Sequence, residues 1–401
     1  MTHKLYYDDP YIHSFSSNVL KQDKDETGNW YVVLQETAFY PTGGGQPHDT
    51  GTLGDSNVIN VEEIDGEIRH YLDKELCHLT NVEGQVNWDR RFDHMQQHAG
   101  QHILSAAFEE LYEYKTVSFH LGKEFLTIDL DIENLSEDKA QLVESLANKI
   151  VREGRLIETR WVSNEELNNY TLRKEISVKE DIRLVIIPDF DYNGCGGTHP
   201  LTTSQVGVIK ILGWERQNKI IRLQFICGNR VLSQFQSKHR ILTEVSQLIS
   251  SPEEGIKETI SKLLENMKQQ AKCLEEVKDQ LLIYEAKDLM SLESYREDDI
   301  IILCKVFDNR PISDLQKIAR YITDATANST TLFVTDFQNR MQILCASGED
   351  SSINSKEIVS KALPIINGKG GGNARLAQGG GDLAISKKLL LEKMSELVYP
   401  K

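Results

Sequence analysis

No uninterrupted apolar run in the 401 residues approaches the length of a membrane span, which argues against a membrane-spanning helix. The opening Met1-Thr-His-Lys-Leu-Tyr-Tyr-Asp8 does not read as a signal peptide. Cysteine is sparse. The six, at 77, 195, 227, 273, 304 and 345, lie too far apart for a disulfide framework and fit a reducing cytoplasm. All but Cys195 are expected to be small buried hydrophobes. A basic surplus is also missing. The net charge is −16, which taken alone argues against a nucleic-acid partner. Phosphate-loop signatures are absent too: Thr42-Gly-Gly-Gly-Gln-Pro47 fits neither GxxxxGK[ST] nor GxGxxG, and Lys369 is not followed by Ser or Thr.

What is present reads as a soluble globular protein of two or three domains, 26% charged and 39% hydrophobic. Residues 1–89 alternate short β-prone runs, such as Trp30–Leu34, Val58–Val61 and Ile68–Leu72, with turns, and suggest a small β-barrel. Residues 90–230 mix helix and strand and read as an α+β domain. Its helices fall at Gln96–Tyr112 and Glu137–Gly154, and its strands at Phe125–Leu130, Arg160–Ser163, Arg183–Ile187, Val206–Leu212 and Ile220–Ile226. Residues 231–295 are helical, broken at Ser250-Ser-Pro252. Their second helix carries Ile256, Ile260, Leu263, Met267, Gln270, Leu274, Val277, Leu281 and Tyr284, spaced alternately by four and three. That heptad seam implies a helical hairpin or a coiled coil across a homodimer through residues 253–290. Residues 296–401 read as a small α/β domain that begins with a strand over Asp299–Val306 and ends in a glycine loop and a helix. From Lys361 to Lys401, seven basic residues face three acidic ones, giving either a local basic face or a solvated helix.

Two pairs of residues carry the chemistry. His98-Ala-Gly-Gln-His102 puts two imidazoles on one helical stripe, because residues four apart share a face. Cys195-Gly-Gly-Thr-His199 lets a thiolate and an imidazole converge from a glycine turn. Together they offer a tetrahedral zinc set, one ion per chain. Four protein ligands favour a structural site and three a catalytic one, so both readings stay open. His94 shares the stripe as a surface or supporting residue. Ser118 and His120 either line the pocket or lie on a strand edge. Gly43, Gly44 and Gly45 either close a tight turn or expose N–H groups to a phosphate or carbonyl. Seven glycines between Gly368 and Gly381 bare the backbone to a polyanion, with Lys369 and Arg375 as charge partners.

Phe39–Pro47, His94–His102, Cys195–Pro200 and Gly368–Gly381 together resemble, in sequence and in order, the long form of the alanyl-tRNA editing (AlaX) family. That family is related to the editing and C-terminal domains of alanyl-tRNA synthetase. The resemblance implies a trans-editing hydrolase that removes serine, and also glycine, from mischarged tRNA(Ala). It implies a zinc-binding deacylase domain over 90–230 and a tRNA-binding and dimerisation domain over 296–401. The zinc ligands would be His98, His102, Cys195 and His199, and the zinc would position substrate and water. Thr42, Gly43, Gly44 and Gly45 would lie near the substrate end, with Ser118 and His120 as weaker pocket candidates. Lys369, Gly370, Gly371, Gly372, Arg375, Gly379, Gly380 and Gly381 would contact tRNA. Where the family often has Arg-Pro-Asp-Met, this chain has Asn373-Ala-Arg-Leu376.

The chemistry has a reason to exist. A pocket shaped for alanine separates serine and glycine poorly, whereas a second site that hydrogen-bonds a hydroxyl discriminates by roughly 10⁴–10⁵ against analogues lacking it. No protein nucleophile is needed, since an aminoacyl ester is already labile. Two rivals stand beside this reading: a metal hydrolase acting on another ester, and a zinc-stabilised tRNA-binding protein without hydrolase activity.

Overall fold

The computed structural model describes residues 2–174, 182–292, 294–297 and 300–398. Asp299, expected to open a strand, and Lys401 of the basic tail lie outside them. The chain divides into two compact units, Met1–Val245 and Ser246–Lys401. Both mix helix and sheet. Among the described residues no helix is long and apolar enough to cross a membrane.

The first unit begins with a seven-stranded antiparallel sheet. Its spatial order is Ser14–Ser17, Val82–Val86, Gly51–Leu53, Ser56–Ile64, Glu67–Leu72, Trp30–Leu34 and Val19–Lys24. The two outermost strands are neighbours in the chain, separated by Asn18 alone. Inward-facing Val32, Leu34, Leu53, Val58, Val61 and Ile68 fill it.

The helix Trp88–Tyr112 follows directly. Asn87 caps it by accepting the Arg90 amide, and Asp89 complements the positive end of its dipole. Arg91 fastens it to the sheet. The guanidinium is fully buried, pairs with both oxygens of buried Asp49, and donates to the carbonyls of Pro10 and Ala38. The helix also lies close against the strand Ile220–Cys227. A Cβ on Gly100 would stand 2.1 Å from Cys227 Sγ, so only glycine permits that approach.

Two small antiparallel sheets belong to the same unit. One orders Thr116–Leu121, Leu126–Leu130, Ile220–Cys227 and Ile209–Gln217; the other orders Glu158–Val162, Ile182–Ile187 and Asp191–Gly194. The helix Glu137–Glu153, capped by Ser136 and ended by left-handed Gly154, packs Val143, Ala147 and Ile150 into the same core as Ile103, Leu104 and Phe108.

In the second unit a six-stranded sheet is covered on both faces. Leu303, Phe333 and Leu344 face the helix Ile312–Ala325 and the end of the long helix Ile256–Leu292. Leu332, Val334 and Ile343, one residue out of phase, face the helices Ser355–Ala362 and Lys387–Val398. The expected glycine loop is instead a strand pair: Lys369–Gly372 runs antiparallel to Leu376–Gly381. The reason is close backbone approach. A Cβ on Gly370 would meet the Gln378 carbonyl oxygen at 2.3 Å, and one on Gly381 would meet the Ile366 oxygen at 2.1 Å. Glycine allows this pairing where any side chain would block it.

The expected burial of five cysteines also needs correction. Cys227 and Cys345 are buried and Cys304 is half-buried, but Cys77 and Cys273 are exposed. The heptad seam is largely exposed as well, from Ile260 through Met267 and Leu274 to Leu281.

Candidate metal centre and its cleft

His98 and His102 project from the middle of the helix Trp88–Tyr112, and their rings stack with centroids 5.3 Å apart. Cys195 and His199 come from the turn after the strand Asp191–Gly194. One ligand atom from each of the four lies within 4.8 Å of the others. Cys195 Sγ is 3.3 Å from His98 Nε2 and 3.4 Å from His199 Nε2. The three histidines are nearly completely buried.

The rings are held from behind. His98 Nδ1 lies 3.1 Å from Gln46 Oε1, and His102 Nδ1 lies 3.0 Å from Asp191 Oδ2. Gln46 is itself fixed: its Oε1 accepts the Thr198 amide and its Nε2 donates to the Thr198 hydroxyl. Arg173 donates to the other oxygen of Asp191 at 2.7 Å. Partners of this kind set which ring nitrogen remains free for a metal. His102 Nε2 and His199 Nδ1 are buried and have no hydrogen-bond partner. An orphaned buried nitrogen is costly unless something occupies it. Thiolate and imidazole donors with an orphaned nitrogen fit zinc.

The four groups are strongly coupled electrostatically. Burial resists ionisation of Cys195, yet the imidazoles of His98 and His199 hold its thiol well below the usual range. Burial likewise opposes charge on His102, but its Asp191 and Cys195 partners raise it to about 9. His199 is pushed by burial to about 3 and stays neutral. Asp191, despite burial, is kept ionised by His102 and Arg173.

Glycine makes the packing possible. A Cβ on Gly197 would lie 2.3 Å from His98 Cε1 and 2.4 Å from its Nδ1. Gly45, at φ +79°, leaves no room between itself and the Phe119 ring. Arg183 steadies the turn from behind, donating to the carbonyls of Cys195 and Gly197 at 2.9 Å each.

The cluster opens into a cleft of about 470 Å³, within the usual range for small-molecule sites. Gly44 and Ser118 line it, whereas His120 is exposed and is not among its walls. The Ser118 hydroxyl donates to Asp129, which Arg222 neutralises. Thr42 is exposed and bonds His48, and neither Gly43 nor Gly45 lines the cleft. His94 is buried, outside the cluster, with Nδ1 unpartnered. In the second unit Lys369, Gly370, Gly371 and Gly372 are exposed, and Arg375 pairs with Glu349. Sequence reasoning missed Gln46, Asp191, Arg183 and Arg173. Gln46 alone carried a signal, standing beside the glycine triplet.

Comparison with known proteins follows the same lines. The family described as threonyl and alanyl tRNA synthetase second additional domain matches residues 182–223. The DHHA1 domain matches residues 300–399. The chain is 31% identical to the alanyl-tRNA editing protein AlaX-L of Pyrococcus horikoshii, over 94% of each chain. It is also 31% identical to the alanine–tRNA ligase of Pyrococcus abyssi, over 94% of this chain and 42% of the ligase. It is 34% identical to the editing protein Aarsd1 of Bos taurus, over 64% of this chain and 58% of that protein. The chain thus spans about two fifths of the ligase it matches and nearly all of the archaeal editing protein.

Proposed function

Since the chain belongs to the alanyl-tRNA editing family, we propose that it hydrolyses the ester of tRNA(Ala) mischarged with serine or glycine, acting in trans. The observation that carries this reading is the His98, His102, Cys195 and His199 cluster at the wall of the cleft. These four residues would hold one zinc ion, which supplies Lewis-acid polarisation of an ester carbonyl or water. The protein's own groups do the rest. Gln46 and Asp191 fix the imidazoles, Arg183 fixes the Cys195 turn, and Gly44 and Ser118 stand at the cleft for the aminoacyl group. Thr42, Gly43 and Gly45 hold the shape of that end.

The exposed strand Lys369–Gly372, with Arg375 and half-buried Gly379 and Gly380, is our candidate contact for the body of the tRNA, in a C-terminal tRNA-binding and dimerisation domain, while buried Gly381 supports that strand from behind. The exposed apolar seam between Ile260 and Tyr284 supports a homodimer through the long helix. Cytoplasmic action in translation fidelity is the matching location.

The test is direct. Seryl-tRNA(Ala) and alanyl-tRNA(Ala) are incubated with the protein before and after chelation. Rapid loss of the serine ester alone, abolished by the chelator, is the expected result. Survival of both esters, with tRNA still bound, would leave only a zinc-stabilised binding protein.

A further inference from the structure

The chain as a whole is strongly acidic, at −16. Its cleft is not. Among the described walls stand Arg173, Lys174 and Arg183, and no Asp or Glu. Lys174 is exposed and makes no ion pair among the described residues. Arg173 is about nine-tenths buried, and its Nη2 has no hydrogen-bond partner. Lys174 and the free Nη2 of Arg173 thus offer N–H donors to an anion in an otherwise acidic protein.

The same cleft carries an aromatic wall. Trp161, on the edge strand Glu158–Val162, lines it with 54% of its surface exposed. A half-exposed tryptophan is unremarkable by itself. This one is held in place: its ring meets Tyr7 edge to face at 5.6 Å. Tyr7 lies under the Arg183 guanidinium at 4.9 Å, and Arg183 grips the carbonyl of Cys195 at 2.9 Å. Three contacts therefore run in series from the metal-ligating turn to the indole. A pre-positioned aromatic face beside a free lysine, and beside a guanidinium that is paired with Asp191 through Nε but has a free Nη2, is how proteins hold single-stranded nucleic acid, with the base on the ring and the phosphate on the charge.

We propose that Trp161, backed by Tyr7, is the stacking platform for the terminal nucleobase of the ester-bearing RNA strand, and that Arg173 and Lys174 receive the adjoining phosphate. This rests on the reading of the cleft as an aminoacyl-ester site. It adds a means of telling an RNA-linked ester from any other.

The full-length protein is tested as Trp161→Ala and Trp161→Phe, with zinc content checked in each. A labelled short single-stranded RNA ending in adenosine is titrated by anisotropy. Trp161→Ala should weaken it roughly five- to hundredfold, and Trp161→Phe should recover most of the loss. In parallel, kcat/KM is compared for seryl-tRNA(Ala) and for a seryl alkyl ester, which has no base to stack. The preference for the RNA ester should fall by a similar factor in Trp161→Ala. Unchanged RNA affinity with unchanged preference would overturn the assignment. So would an equal fall on both esters, which would make Trp161 a support for the pocket. Loss of RNA affinity in a protein that hydrolyses neither ester would uphold the platform and remove the hydrolase reading.

Discussion

All eleven histidines and all four tryptophans lie in the first unit, and residues 246–401 have none of either. Both units use clustered glycine, but for different ends. Around the Cys195–His199 turn, glycine clears space for a side chain: Gly197 for the His98 ring and Gly45 for Phe119. In the second unit it clears space for backbone, with Gly370, Gly372 and Gly381 letting strands and turns press together. Gly371 stands apart, because nothing lies within 4 Å of where its Cβ would be. At these positions glycine serves a side chain in one unit and the main chain in the other.

The sharpest way to break this contrast is at the turn. Gly197→Ala should empty the metal site and abolish ester hydrolysis as completely as Cys195→Ala. Gly196→Ala, whose Cβ would meet only the Tyr7 hydroxyl at an ordinary 3.5 Å, should keep its metal. Zinc content after dialysis decides; a metal-loaded Gly197→Ala protein would refute the packing argument.

Next in size is Asp191→Asn. Removing the carboxylate behind His102 should weaken zinc roughly 10–100-fold in competition with a chelator. Unaltered competition would mean that the ring needs no such support.

The second unit offers a paired comparison. Gly370→Ala should destabilise it by about 1–3 kcal/mol, since the added carbon meets backbone that cannot step aside. Gly371→Ala should stay within about 0.5 kcal/mol. Urea unfolding by circular dichroism separates the two, and equal costs would erase the distinction between blocked and open glycines.

The effect of pH is last. Burial pushes His70, bonded to Thr37 and Val32, from 6.5 to about 4. Between those values the unfolded chain binds more protons at this position than the folded one. Stability therefore rises with pH across that window, is complete above 6.5, and is lost as pH falls towards 4. At pH 5 the loss from His70 is on the order of 2 kcal/mol. Tryptophan emission reports the first unit alone and should show it. A unit as stable at pH 5 as at pH 7 would contradict the burial of a neutral His70.

The convergence of His98, His102, Cys195 and His199 was legible because each pair is local: a three-residue gap fixes geometry on a helix or in a glycine turn. Helices announced themselves in the same way, as at Glu137–Glu153 with its Ser136 cap. Their supports were not legible. Gln46 reaches His98 across 52 positions and Asp191 reaches His102 across 89, distances at which spacing carries no information. The Gly368–Gly381 segment misled for a physical reason: glycine is poor in isolated strands, and only the facing backbone reveals why it is needed there. Trp161 looked like one more β-prone residue until Tyr7, from the far end of the unit's sequence, was seen against it.

The Arg91–Asp49 pair bears on how this protein can diverge. Neither partner touches solvent, and the guanidinium also serves two carbonyls, Pro10 and Ala38, on two other stretches of chain. Losing one member leaves a buried charge unmatched, at a cost of about 3–5 kcal/mol, and replacing both with apolar residues strands the carbonyls of Pro10 and Ala38 and the amide of Tyr40. Drift at these two positions is therefore gated. Single steps lead into a fitness valley, and the double step leaves three backbone groups without partners, so descendants should keep both residues even where the rest of the sequence has drifted.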